Sequence, residues 1–263
     1  MVAKFNQRAD IVNSLLCVGL DCAIERIPEP YCESATPQFD FNRYIIEQTH
    51  AFTAAYKPNI AFYEARGEQG WHELKLTIDY LRAEHPEIFT ICDAKRGDIG
   101  STSEAYATAI FDELGFDAVT LQPYLGREAL SPFLQREDKA CIILCRTSNP
   151  GAGELQDLQV EGVPLWQKIA QQVAEDWNKN GNCMLVMGAT YPDEMQQVRS
   201  LVGDMTFLVP GIGAQGGNVQ QTVEAGLNRQ DKGLIISSSR GIIFADDPAQ
   251  AAKDLQNDIN QHR

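Results

Sequence analysis

The sequence predicts an α/β protein folded as a single-domain (β/α)8 TIM barrel, and three observations carry that prediction. Eight short apolar runs recur along the 263 residues, with helical patterns between them. The runs are nearly continuous in apolar character, as parallel strands covered on both faces are; eight such units in about 250 residues match a closed barrel. The ends of the runs also carry the unusual polar residues: Asp21, Lys57, Asp93, Lys95, Ser148, the glycines from Gly211 to Gly217, and Arg240. A doubly wound open sheet accommodates the same units but leaves most of those ends too far apart to cooperate. A barrel converges them on one mouth.

In chain order, the first strand is expected over Leu15–Leu20, ending at Asp21. A loop with Pro28, Pro30 and Pro37 leads into a helix over Phe41–Ala54. The second strand is expected over Ala55–Tyr63, with Lys57-Pro58-Asn59 inside it, followed by a helix over Trp71–Glu84. The third runs from Ile88 to Lys95. A helix over Thr102–Leu114 then leads to a fourth strand, Ala118–Gln122. A short helix near Arg127–Arg136 precedes the fifth strand, Ala140–Arg146, which opens into the turn-rich, mobile-looking stretch Thr147–Gly153. Helix Leu165–Asn178 leads to the sixth strand, Cys183–Met187, and Pro192 begins a helix to about Val202. The seventh strand, Thr206–Val209, ends in Pro210-Gly211-Ile212-Gly213-Ala214-Gln215-Gly216-Gly217. Helix Val219–Leu227 precedes the eighth strand, Leu234–Ser238, and Asp247-Pro248 begins the last helix, with Pro suited to its first position. No linker or low-complexity stretch divides the chain, so residues 1–263 are read as one domain.

Composition excludes several function classes. A formal net charge of −14 argues against a nucleic-acid or anionic membrane surface, though not against a small cationic pocket. No apolar run approaches the roughly 20 residues of a membrane helix, and Leu15–Leu20 is too short and interrupted for a signal peptide. Seven cysteines, with no Cys-x-x-Cys, read as reduced core thiols of a cytoplasmic protein. The four histidines fall in helix-like or terminal segments and do not form a clustered metal-ligand set. The absence of Gly-x-x-x-x-Gly-Lys-Ser/Thr argues against a nucleoside triphosphatase.

The chemistry concentrates on the third strand. Residues two apart on a strand share a face, so Asp93 and Lys95 project together. Asp98 lies past the strand end, on a turn marked by Gly97 and Gly100, and Ser101-x-x-Glu104 fits a helix capping box. Lys57 comes from strand two. One reading is a salt-bridge network that only closes the barrel mouth. Against it, desolvated charges are costly unless paired, and perturbed charges in a pocket often mark function. A lysine held between carboxylates stays protonated and can give a proton to a carbanion. A carboxylate set against an anionic substrate group destabilises the ground state relative to a transition state in which that charge leaves. At the other side of the mouth, the glycine-rich turn before a helix N-terminus suits an anion, Arg240 adds a forked cationic donor, and loops seven and eight are the recurrent phosphate site of this fold. Together these predict a reaction that expels negative charge from a phosphorylated small molecule.

At this point the residues resemble a family. Asp93-x-Lys95-x-x-Asp98-Ile99-x-x-Thr102 is similar to the signature of orotidine 5′-phosphate decarboxylases, and Asp-Ala-Lys-Arg-Gly-Asp-Ile-Gly-Ser-Thr looks like its longer bacterial subfamily. The resemblance extends through Gly19-Leu20-Asp21, Lys57-Pro58-Asn59, Thr147-Ser148-Asn149-Pro150-Gly151-Ala152, Pro210 to Gly217, and Arg240. It implies a cofactor-free, metal-free decarboxylation of orotidine 5′-phosphate to uridine 5′-phosphate, in pyrimidine nucleotide synthesis. Lys95 would protonate C6 of the pyrimidine, Asp93 would crowd the departing carboxylate, and Lys57 would pair with Asp93 and reach the ribose. Asp21 would bind a ribose hydroxyl and Ser148 the pyrimidine edge. Pro210, Gln215 and Arg240 would line the substrate, the last two on its phosphate. Asp98 and Thr102 would reach into the neighbouring subunit's site, implying a homodimer. Many family members carry Gly before the phosphate-binding Arg; here Ser239 stands there, and only a change of loop geometry is expected.

Two rival readings have distinct signatures. Related sugar-phosphate decarboxylases or aldolases share Asp-x-Lys-x-x-Asp but use a divalent metal, with an acid at the end of strand two, where this chain has Lys57. A non-catalytic nucleotide-phosphate sensor needs only the glycine loop and Arg240, and makes no use of Lys57, Asp93, Lys95 and Asp98.

Overall fold

The computed structural model describes residues 1–213 and 216–263. Eight parallel strands close into a barrel: β1 Leu16–Gly19, β2 Ala55–Lys57, β3 Phe89–Arg96, β4 Ala118–Leu121, β5 Ala140–Arg146, β6 Cys183–Met187, β7 Phe207–Val209 and β8 Leu234–Ser238. Each strand pairs with its sequence neighbours, and β8 returns to β1 in the register Leu16↔Ile236, Cys17↔Ser237. Strand residues are buried almost without interruption because one face fills the barrel and the other meets the helices. That is the physical reason the sequence shows runs and not alternation. Closure brings all eight C-terminal ends to one rim, where barrels of this kind carry their sites.

The departures from expectation have local causes. The first helix, Val2–Val12, was missed behind its mixed charge. Val2, Phe5, Ala9 and Val12 recur at helical spacing; Phe5 is fully buried edge-on to Phe89, and Lys4 Nζ reaches Asp117 at 2.7 Å. Strand β2 is shorter than the expected Ala55–Tyr63, because Pro58 removes a donor and Ala61–Glu64 turns helical. Pairing nevertheless continues as a bridge between Asn59 and Asp93. The expected capping box at Ser101 and Glu104 does not form. The helix begins two residues earlier, at Gly100, with Ile99 at its cap, so Ser101 falls inside the first turn and Glu104 instead meets Arg136 at 3.1 Å. Helices Gly100–Ala107 and Leu165–Gln172 both widen into π-turns, over Thr108–Glu113 and Val173–Trp177.

The stretch after β5 carries a 3-10 turn, Pro150–Ala152, a short helix, Gly153–Gln156, and a hairpin pairing Gln159 with Pro164. The final helix is capped as expected: the Asp247 carboxylate accepts the Gln250 N–H at 2.9 Å, with Pro248 at the first position. All seven cysteines are free, and only Cys32 is exposed. No described helix is long and apolar enough to cross a membrane.

Candidate active site

The end of β3 gathers the charges. Asp93 is the hub: its Oδ2 accepts Lys57 Nζ at 3.0 Å, and its Oδ1 accepts Lys95 Nζ at 2.6 Å. Lys57 Nζ also lies 3.8 Å from Asp21 Oδ2. Asp21 is itself held, accepting the Asn59 N–H at 2.9 Å. The strand delivers this arrangement by breaking regularity. Its register with β4 shifts between Cys92 and Arg96, and Lys95 takes the left-handed conformation, φ 50°. Such a backbone costs about 1–2 kcal/mol for a residue with a side chain.

Thr120, on β4, holds that bulge. Its Oγ1 accepts the Ala94 and Lys95 N–H groups, each at 2.9 Å, and donates to Asp93 Oδ1 at 2.9 Å. That uses the whole hydrogen-bonding capacity of a hydroxyl. The expected Asp93–Lys95 pairing is therefore present, but fixed by a threonine the sequence reading did not single out. A hydroxyl residue inside the apolar run Ala118–Leu121 was the available signal.

Electrostatics fixes the protonation states of the hub. Burial alone pulls the Lys57 pKa down, but Asp21 and Asp93 outweigh it and raise it, so Lys57 is an ammonium. Burial pushes Asp93 up, but Lys57 and Lys95 outweigh that and hold it below the usual carboxylate range. Beneath them, burial drives the Cys17 thiol up to about 12, leaving it neutral. Lys95 differs from Lys57 in access: its side chain is 49% exposed, against 6%. One lysine is an embedded counter-charge; the other stands open at the cavity surface.

The rim encloses a cavity of about 960 Å³ lined by Asp21, Lys57, Asp93, Lys95, Ser148, Pro210 and Arg240. Closed packing sets several of these. Gly188 lies under Ser148, where a Cβ would come within 2.8 Å of the Ser148 Cα. Arg240 opens the one-turn helix Arg240–Ile243. Before it, Ser239 donates its hydroxyl to the Gly19 carbonyl at 3.0 Å, and a Cβ on Gly19 would meet the Ser239 Cβ at 2.8 Å. A serine at 239 is thus matched by a glycine at 19.

After β7, the Gly217 N–H donates to the Gly211 carbonyl at 3.0 Å, and Pro210 to Gly213 face the cavity. The following helix, Val219–Gly226, does not present its whole N-terminus to an anion: the Asn218 side chain accepts the Gln221 N–H at 2.9 Å. Gln215 lies outside the described residues. Among the residues that line the cavity beyond those anticipated are Thr120, Arg26 and Gln156. Gln156 clips the loop after β5, accepting the Thr147 N–H at 3.0 Å and donating to its hydroxyl at 2.8 Å.

Asp98 and Thr102 do not line this cavity. Asp98 Oδ1 accepts the Ile99 N–H at 2.7 Å, and Thr102 is exposed on the helix starting at Gly100. Next to them lie the exposed Ile99, Tyr124 and Leu125, the last two reached from β4 through Gln122, whose Nε2 donates to the Gly97 carbonyl at 3.0 Å.

Comparison with known proteins accords with this geometry. The profile of the orotidine 5′-phosphate decarboxylase / HUMPS family matches residues 14–255. An orotidine 5′-phosphate decarboxylase from Cellvibrio japonicus is 48% identical over 254 residues, covering 95% of this chain and 92% of that protein. The structure of Leishmania donovani OMP decarboxylase superposes with a TM-score of 0.89 at 42% identity, covering 99% of this chain and 98% of that one. Leishmania donovani UMP synthase gives 0.92 at 43% identity over all of this chain, which spans 56% of that longer protein.

Proposed function

The chain belongs to the orotidine 5′-phosphate decarboxylase family, and on that premise we propose how its own residues carry the reaction. It is a carboxy-lyase that converts orotidine 5′-phosphate to uridine 5′-phosphate and carbon dioxide, in pyrimidine nucleotide synthesis. The observation that carries the reading is the row Lys57–Asp93–Lys95, an embedded ammonium, an ionised carboxylate and an accessible ammonium in direct contact.

Asp93, held ionised, faces the substrate carboxylate. Their repulsion is relieved as the C6–carboxylate bond breaks and the charge passes to C6. The electron pair stays on C6, Lys95 Nζ gives it a proton, and carbon dioxide leaves; solvent then reprotonates Lys95. The net change is one carboxylate exchanged for one proton, with no oxidant or reductant, which is the basis for proposing a cofactor-free reaction. Lys57 keeps Asp93 charged and, with Asp21, meets the ribose hydroxyls. Ser148 meets the pyrimidine edge, Pro210 lines the substrate, and Gln215 and Arg240 hold the phosphate. Binding energy at the phosphate offsets the discomfort at the carboxylate. Enzymes lower barriers by about 8–23 kcal/mol in most cases, and a vinyl carbanion with little intrinsic stabilisation asks for the upper part of that range.

The active form is a homodimer in this reading. Asp98 and Thr102 belong to the partner's cavity, which accounts for two motif residues standing away from their own. The exposed Ile99, Tyr124 and Leu125 beside them supply apolar area for the contact. The protein acts in the cytoplasm. A metal-dependent sugar-phosphate lyase is disfavoured by Lys57, an ammonium at the end of β2 where that chemistry needs an acidic ligand.

The test is to incubate EDTA-treated protein with orotidine 5′-phosphate and follow loss of its ultraviolet absorbance. Turnover without added metal is expected. Well-folded protein that leaves the absorbance unchanged refutes the assignment.

A further inference from the structure

Arg26 lies on the loop after β1, in the 3-10 turn Ile24–Arg26, and lines the same cavity as Arg240. Its guanidinium sits 4.0 Å from the centroid of the Phe244 ring. Phe244 directly follows the one-turn helix that Arg240 opens, and is itself stacked on Phe41, with 6.0 Å between centroids and 15° between planes. The guanidinium therefore rests on a fixed aromatic floor four residues from Arg240. Among the described residues neither arginine has a carboxylate partner. Two guanidinium groups without counter-charge at one end of one cavity are unexpected in a chain of net charge −14. Stacking leaves the edge of the guanidinium, with its N–H groups, free to donate within the plane, which is how such a fork meets phosphate oxygens.

We propose that Arg26 is a second guanidinium for the phosphate of the nucleotide, a specificity-determining residue that separates a nucleoside monophosphate from the unphosphorylated nucleoside. The inference rests on the functional reading above. Phe244 acts through Arg26: it holds the side chain in place before the ligand arrives, lowering the ordering cost of binding. A guanidinium that merely clasps Phe244 has no reason to distinguish the two ligands.

Calorimetric titration of wild type, Arg26→Gln and Arg26→Lys with uridine 5′-phosphate and with uridine tests this. Loss of a charge-assisted hydrogen bond predicts that Arg26→Gln binds uridine 5′-phosphate about tenfold more weakly and uridine within about twofold of wild type. Arg26→Lys, which keeps charge and stem but not the fork, is expected to show an intermediate loss of the preference. A wild-type ratio of the two affinities in folded Arg26→Gln overturns the proposal. Should that variant not fold, a full wild-type ratio in Arg26→Lys overturns recognition by the fork. The functional reading fails separately, in the wild-type protein, if it does not prefer uridine 5′-phosphate to uridine.

Discussion

Replacing Thr120 with valine isolates the device that shapes β3. The two side chains have nearly the same volume, so no cavity opens, and what is lost is one hydroxyl. That hydroxyl serves the Ala94 and Lys95 N–H groups and one oxygen of Asp93. Valine leaves two N–H groups unpaired, at about 1–3 kcal/mol for each that stays buried. Lys95 is also left in its left-handed conformation, at about 1–2 kcal/mol, with nothing clamping it. Solvent reaches Lys95 more easily than Ala94, which is 9% exposed, so its share is discounted. A loss of about 2–4 kcal/mol follows, which for a chain of this length lowers the melting temperature by roughly 4–16 °C. The same change frees Asp93 Oδ1 and lets the bulge relax, so Lys95 moves off its proposed proton-transfer position, where a displacement of about 1 Å can cost on the order of a hundredfold in rate. Thr120→Ser keeps the hydroxyl and is expected to retain most of both. Urea unfolding and steady-state decarboxylation measure the two effects. Wild-type stability and turnover in Thr120→Val would falsify the account of how this strand end is built.

Lys95→Ala is expected to lower turnover by at least about 10²-fold, the lower end of what a positioned proton donor contributes, while uridine 5′-phosphate still binds by calorimetry; near-full activity refutes the donor role. Mixing inactive Asp98→Ala with inactive Lys95→Ala is expected to restore part of the activity, because some heterodimers then hold one intact shared site; verified heterodimers with none refute the sharing. For pH, Asp93 has a depressed folded-state pKa, so its stabilisation is present above the unfolded value of about 3.9 and is lost as pH falls toward the folded one. The stability gap between wild type and Asp93→Asn in urea melts is therefore expected to be constant from about pH 7 to 5 and to shrink below about pH 4; a gap that widens on acidification refutes the sign.

The barrel was legible because parallel strands buried on both faces leave unbroken apolar runs, and seven of the eight strands lie within a residue of where those runs stand. Strand β2 was overextended because the apolar stretch Ile60 to Tyr63 follows closely on Ala55-Tyr56, and Pro58 is the residue that marks where the ladder loses a donor. The N-terminal helix was hidden because Lys4, Arg8 and Asp10 mask a stripe of only a few apolar residues. In the site, Lys57, Asp93 and Lys95 stood out because charge is costly at the end of a buried strand. Thr120 and Arg26 did not stand out. One makes its contribution through backbone groups of another strand, and the other through a ring 218 positions away in sequence; neither relation leaves a mark in local spacing. Asp98 and Thr102 were conspicuous as motif but not as geometry, since their own cavity lies elsewhere.

The left-handed backbone at Lys95 has an evolutionary consequence. Glycine relieves the torsional cost there and asparagine bears it more easily than most residues, and Asp93 keeps Lys57 and Thr120 as partners when the amine is gone. With Lys95 as the proposed proton donor, stability and catalysis select different residues at one position. A lineage drifting under selection for thermal resistance alone is expected to lose the lysine early and keep the barrel, becoming a sturdier protein with no chemistry. On the proposed role, lysine at 95 on a left-handed backbone is the feature expected to tell a working member of such a family from a folded relic.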